Sequence, residues 1–321
     1  PRASSACRWS RRRPERARTM TALTASAPAA RALAGIALLI AATACFAVLD
    51  TTVKLVGAVV SVLLVIWFRY LFHAVAMTAW LLPRRGRSAL RTAHPRFQLL
   101  RGALLLSLSL MGFVALQRMP VGEFTAILMF TPLAVTLMGA TVLRERVSAG
   151  QWLLVAGGFA GVLLVVRPGG GDIGWASALP LAMVLLSAWF QILTARMART
   201  EDPMTMHFYT GWVGALVTSA LLPLVWQAIP DGRTLGLLVL VGIAGTVGHL
   251  LLIMAYQRAP ASTLSPYLYS QIAFAMAFGW LVFGHVPGAV ELAGTALIVL
   301  CGALSGWRTA RGHLPIRPPE D

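Results

Sequence analysis

Apolar residues fall into ten blocks, at roughly 33–53, 58–82, 97–116, 121–143, 150–166, 174–195, 205–226, 234–256, 262–283 and 288–307. Short polar or charged stretches separate them. An α-helix rises about 1.5 Å per residue, so about 20 residues cross a hydrocarbon core about 30 Å thick. The blocks lack the polar/apolar alternation of barrel strands. In lipid every backbone polar group must be bonded internally. The pattern therefore predicts an all-α membrane protein with ten transmembrane helices. The connections leave no room for a soluble domain.

The blocks repeat. Ala115–Pro120 reads A-L-Q-R-M-P and Ala255–Pro260 reads A-Y-Q-R-A-P, 140 positions later. Without a gap, Gly102 pairs with Gly242, Leu128 with Leu268, Gly139 with Gly279 and Ala149 with Ala289. Pro120 and Pro260 suit turns, since each lacks an N–H and disfavours helix at the preceding residue. Each half has five helices. Five is odd, so the second half enters the membrane from the opposite side and the copies are inverted. This predicts a first repeat over 31–169 and a second over 170–307.

Composition agrees, with 58% hydrophobic and 12% charged residues. The net charge of +16 does not point to nucleic acid, because it sits in the tails and in alternate loops. Of 27 basic residues, 22 fall on the side of the N-terminus. Lys54, Arg118, Arg167 and Arg233 lie opposite, and Arg69 is inside a helix. The positive-inside rule places both termini in the cytoplasm, with 308–321 as a cytoplasmic tail. The arginine-rich residues 1–30 are expected to be disordered. They contain no secretory h-region, and a start at Met20 would make 1–19 an artefact of the start site. Cys7, Cys45 and Cys301 have no metal or redox spacing. There is no phosphate loop, no H-E-x-x-H and no G-x-S-x-G. No cofactor and no metal are expected.

Ionisable groups within membrane helices are costly and each needs a reason. Asp50 and Lys54 lie one turn apart in helix 1, and Arg69 sits mid-way along helix 2 with His73 one turn on. Arg69 stays charged, so it requires a carboxylate or a wet cavity. Asp50 is the nearest candidate if helices 1 and 2 are antiparallel neighbours. That pair reads equally as a structural bridge or as part of a site. Glu123 opens helix 4, either as a cap favoured by the helix dipole or as a group that binds an amine or a proton. In the second half, Trp189, Tyr209, His249, Tyr269 and Gln271 are candidates to line a pocket for a planar or aromatic metabolite. The alternative for each aromatic is packing or lipid contact. Glycines 157, 158, 161, 294 and 302 mark close helix packing.

The stretch from Pro120 to Leu137, continued by L-R-E-R-V-S-A-G-Q-W and G-F-A-G-V-L-L-V-V-R-P-G, resembles the drug/metabolite transporter superfamily of EamA type. The pairing of C-F-A-V-L-D-T-T-V-K (45–54) with W-F-R-Y-L-F-H (67–73) is similar to a bacterial subgroup that includes riboflavin and S-adenosylmethionine uptake carriers. One departure is Gly284-His285-Val286, where family members often carry Gly-Glu-Arg. It leaves Glu145 as a structural residue. The resemblance implies a central cavity between the halves, alternating access, an inner-membrane location and a fold compatible with homodimers. The expected function is secondary transport of a small organic metabolite, proton-coupled or by exchange. The rivals are a membrane-embedded enzyme acting on a lipid or isoprenoid head group, whose acids would cluster at one interface, and a non-transporting scaffold.

Overall fold

A computed structural model describes residues 13–86, 90–116, 127–166, 178–224, 226–284, 286 and 288–311, with side chains from Ala29 onward. Ten helices follow in order: α1 Arg13–Val56, α2 Val62–Arg85, α3 Pro95–Leu116, α4 Thr131–Thr141, α5 Ala149–Val166, α6 Ala178–Met197, α7 Pro203–Leu221, α8 Gly232–Tyr256, α9 Ala261–Phe283 and α10 Ala289–Ala310. Each overlaps one apolar block. Among the described residues, α1, α2, α6, α8, α9 and α10 are long and apolar enough to cross a membrane, while α4 and α5 are shorter. The helix α1 starts at Arg13, ahead of the first apolar block. The segment is rich in Ala and Arg, both strong helix formers.

The helix ends follow local rules. Ser61 caps α2 by accepting from the Leu64 N–H at 3.3 Å. Asp202 caps α7 through Met204 and Thr205 at 3.0 and 3.1 Å, with Pro203 at the first helical position. Asp231 caps α8 through Thr234 at 2.6 Å. Gly284 ends α9 with φ +69°, a left-handed conformation that glycine adopts without a Cβ clash. The helix α9 is not regular. A four-residue α-turn gives way to a 3-10 stretch over Ser265–Tyr269, with Pro266 inside it, before the α-helix resumes at Ser270.

Packing follows the inverted repeat. Helix α1 lies against α8 and α9, and its counterpart α6 lies against α3 and α4. Helix α2 packs on α8 as α7 packs on α3. Two further contacts join counterparts directly, α2 with α7 and α5 with α10. Bulky side chains of α2 enter glycine notches on α7, Tyr70 against Gly214 and His73 against Gly211. The chain is thus two interleaved inverted five-helix repeats rather than two separate bundles.

One expected neighbourhood is absent. Helices α1 and α2 are consecutive and closely linked, yet they touch little, because α8 packs against both. The second Q-R-x-P copy forms the turn after α8, with Gln257 at the helix end and Arg258 Nη1 donating to the Met254 carbonyl at 3.0 Å. The first copy's Gln117–Pro120 lies outside the described residues.

Candidate functional site

Helix α1 is apolar along most of its length until Asp50. That carboxylate is solvent-accessible although protein surrounds it on most sides, so it lines a recess rather than the outer wall. Gln271 of α9 donates to Asp50 Oδ2 at 2.8 Å. About two turns nearer the start of α1, the Thr43 hydroxyl meets Ser270 at 2.7 Å. The 3-10 stretch of α9 precedes both Ser270 and Gln271. Discontinuous helices with polar residues beside the break are the usual construction of transporter sites.

Arg69 of α2 does not form the expected ion pair with Asp50. Its Nη2 donates to Ser109 Oγ of α3 at 2.6 Å, and its guanidinium lies 4.6 Å from the Tyr70 ring centroid. The reason is the helix order. Because α8 lies between α1 and α2, the Arg69 stem crosses the notch at Gly245 of α8 and runs on to α3. The Arg69 charge still acts on Asp50 across the recess. Lys54 also leaves Asp50, placing Nζ 4.6 Å from the Phe283 ring centroid. Among the described residues, no ion pair engages Asp50 or Arg69. Ser109 carries no charge and was not a candidate. With Ser107 it is the only polar side chain between Arg101 and Gln117, and that isolation was its signal.

The remaining candidates divide. His249 of α8 sits between aromatic rings from both halves, 4.8 Å from Phe46 of α1 and 6.1 Å from Phe190 of α6. Trp189 is 53% exposed, on a stripe of α6 with Leu181 and Leu185. Tyr209 ties its hydroxyl to the Leu90 carbonyl at 2.8 Å, in the connection between α2 and α3. Tyr269 is fully buried against Gly158 of α5, within an apolar cluster of Val155, Val162, Ile272 and Ile298. Glu123 lies outside the described residues.

At the end where α1 begins and α10 finishes, polar bonds strap the two halves together. Glu145 Oε1 and Oε2 accept from the Ala261 and Ser262 N–H groups at 3.2 and 2.9 Å, capping the start of α9. Gln151 Nε2 donates to the Ser262 carbonyl. Glu201 Oε1 accepts from Thr92, Ala93 and His94 just before α3. Arg85 pairs with Asp202 at 2.9 Å, and Arg31 donates to the Gln257 carbonyl at 3.1 Å. Glu145 thus ties the turn after α4 to the start of α9 in the other half.

Comparison with known proteins decides the family. A profile of the EamA-like transporter family matches residues 33–167 and again 174–305. The chain belongs to the EamA-like transporter family. Its two matches correspond to the two inverted repeats. The transporter is 32% identical over 222 residues to the riboflavin transporter of Rhizobium johnstonii, covering 68% of this chain and 72% of that protein. It is 28% identical over 287 residues to the pseudopaline exporter of Pseudomonas aeruginosa, covering 87% and 97%. It is 23% identical over 250 residues to the S-adenosylmethionine uptake transporter of Rickettsia felis, covering 78% and 84%. A solved crystal structure superposes with a TM-score of 0.73 at 18% identity, covering 86% of this chain and 98% of that one. That likeness supports the fold. This membrane transporter of small metabolites is not an enzyme, and the head-group enzyme falls away as a rival.

Proposed function

We propose that the protein is a secondary transporter of the bacterial inner membrane, carrying a small polar metabolite by alternating access. The observation that carries this reading is that Asp50 and Arg69, two ionisable groups within the helices, are not paired with each other. They come from different helices, and each is held by a neutral partner rather than by the other. A carboxylate and a guanidinium in low dielectric are expensive unless something bridges them. A cargo with both a cationic or donor group and an acceptor group does so. Gln271 and Ser109 hold the two charges apart in its absence.

The rings of Phe46, His249 and Phe190 offer a flat apolar surface beside those charges. That favours an aromatic, nucleoside-like or amino-acid-like cargo, and the cargoes named for the relatives fall in the same range of size and polarity. Transport requires the polar straps at the α1/α10 end to open. Both termini are assigned to the cytoplasm from the distribution of basic residues. Coupling to protons or exchange of one cargo for another both fit this arrangement.

Flux into proteoliposomes from a metabolite mixture, with contents identified by mass spectrometry, tests the reading. The expected result is saturable accumulation of one chemical class, lost in Arg69→Ala while the variant still inserts. Absence of any protein-dependent accumulation, with intact insertion, overturns it.

A further inference from the structure

Deeper than the recess, between α2, α3, α7 and α8, lies a second group of ionisable side chains that the site above does not use. Arg101 of α3 and His207 of α7 are fully buried, and His73 of α2 is 3% exposed. The rings of His73 and His207 stack with centroids 3.8 Å apart. The charge of Arg101 acts on His73, His207 and His249.

The donors are incompletely used. Arg101 Nε donates to Thr194 Oγ1 at 2.8 Å and Nη1 to the Met206 carbonyl at 3.2 Å and to Thr210 Oγ1. Its Nη2 has no partner among the described residues, and neither do His73 Nε2, both ring nitrogens of His207, or His249 Nδ1. The backbones of His207 and Thr246 lie beside the His73 and His207 rings respectively. No carboxylate pairs with Arg101 among the described residues. A buried guanidinium lacking a counter-ion costs several kcal/mol, and each orphaned donor adds to the cost. The histidines do not converge as metal ligands. A buried positive charge with an unfilled guanidinium N–H, beside imidazoles that can each supply one N–H, instead suits a negatively charged acceptor.

We propose that Arg101, His207 and His73 form a binding site for one small anionic group, a halide or a carboxylate. The site stands on its own geometry, and its test reads binding rather than transport.

The test is thermal unfolding of the purified full-length protein in detergent, at fixed pH and ionic strength, in sodium gluconate, chloride or acetate. Gluconate, the bulkiest of the three anions, serves as the reference. The expected result is a saturable rise in Tm of about 3 °C or more in chloride or acetate. The saturable part should vanish in Arg101→Gln and in His207→Asn, and weaken at least about tenfold in apparent affinity in His73→Asn. A response to chloride alone assigns a free halide. A response to acetate at lower concentration than chloride assigns the carboxylate of a cargo. If Arg101→Gln does not fold, the two histidine variants decide, because they leave the three Arg101 bonds in place. Equal Tm in all three salts means that only water satisfies these groups and overturns the proposal. A saturable shift that survives in both histidine variants places the anion elsewhere and overturns it too.

Discussion

Replacing Glu145 by glutamine tests how the two halves are held at the α1/α10 end. The side chain of Glu145 is 3% exposed and accepts from two backbone N–H groups of the opposite half, at 3.2 and 2.9 Å. Glutamine keeps the shape but has a single acceptor oxygen. One of the two N–H groups then faces an NH2 group and is orphaned. A hydrogen bond to a charged acceptor contributes about 1.5–3 kcal/mol net, and an orphaned buried donor costs about 1–3 kcal/mol. Arg199 stands 3.7 Å from the carboxylate and is 39% exposed, so losing that contact adds less than about 1 kcal/mol. Relief of carboxylate desolvation offsets part of the sum. The net loss is about 2–3 kcal/mol, or a factor of about 30–150 in the local opening equilibrium. Amide exchange read by mass spectrometry measures this directly. Peptides covering residues 261–264 should exchange at least about tenfold faster in Glu145→Gln, while those from α5 and α10 are unchanged. Unaltered exchange at 261–264 would refute the cap. A uniform rise over every helix would refute its locality.

Four further outcomes follow from the same geometry. Arg69→Ala should abolish uptake with normal membrane insertion, and Arg69→Lys should retain only part of it, since lysine lacks the planar fork that serves Ser109 and cargo together; whole-cell uptake against protein level measures both. Asp50→Asn should reduce uptake at least about tenfold, the worth of roughly one charge-assisted bond, and unchanged uptake would exclude the carboxylate from cargo binding. Gly214→Ala places a Cβ within the Tyr70 ring and should cost about 1–3 kcal/mol, seen as a lower Tm, whereas Gly236→Ala, with open space around it, should not lower Tm. Asp231 is held below the ordinary carboxylate value of 3.8 chiefly by the Thr234 N–H and hydroxyl. Its contribution to the start of α8 is therefore present above pH about 4 and lost as pH falls through the folded value, and protection of the Thr234 amide should drop at low pH in the wild type and be absent in Asp231→Ala.

The number of helices, their approximate limits and the duplication were legible in the sequence, because bilayer thickness fixes helix length and five is odd. The facing of side chains was not. A helix in lipid is apolar toward its neighbours and toward the bilayer alike, so periodicity carries little information about direction. Tyr269 illustrates this: nothing in S-P-Y-L-Y-S-Q tells which tyrosine turns toward Gly158 of α5. The Asp50–Arg69 pair was inferred from chain proximity, which holds for a simple up-and-down bundle. It fails here because the inverted repeats interleave and α8 packs against both α1 and α2. Gln271 and His249 could be singled out as polar groups in apolar surroundings, but their partners Asp50 and Phe46 come from the other half of the chain.

The seam between α5 and α10 is built without side chains at its closest point. A Cβ on Gly161 would lie 2.7 Å from the Gly294 carbonyl oxygen, and one on Gly294 would lie 2.5 Å from that of Gly161. The two counterpart helices meet there backbone to backbone, much as helices of two separate subunits do. Helices α2 and α7 meet as counterparts in the same way. Nothing in such a seam depends on the peptide link between the repeats. Two fragments ending and beginning between Val166 and Ala178, made in the same cell, should recognise each other and restore the bundle, provided each enters the bilayer in its own opposite orientation.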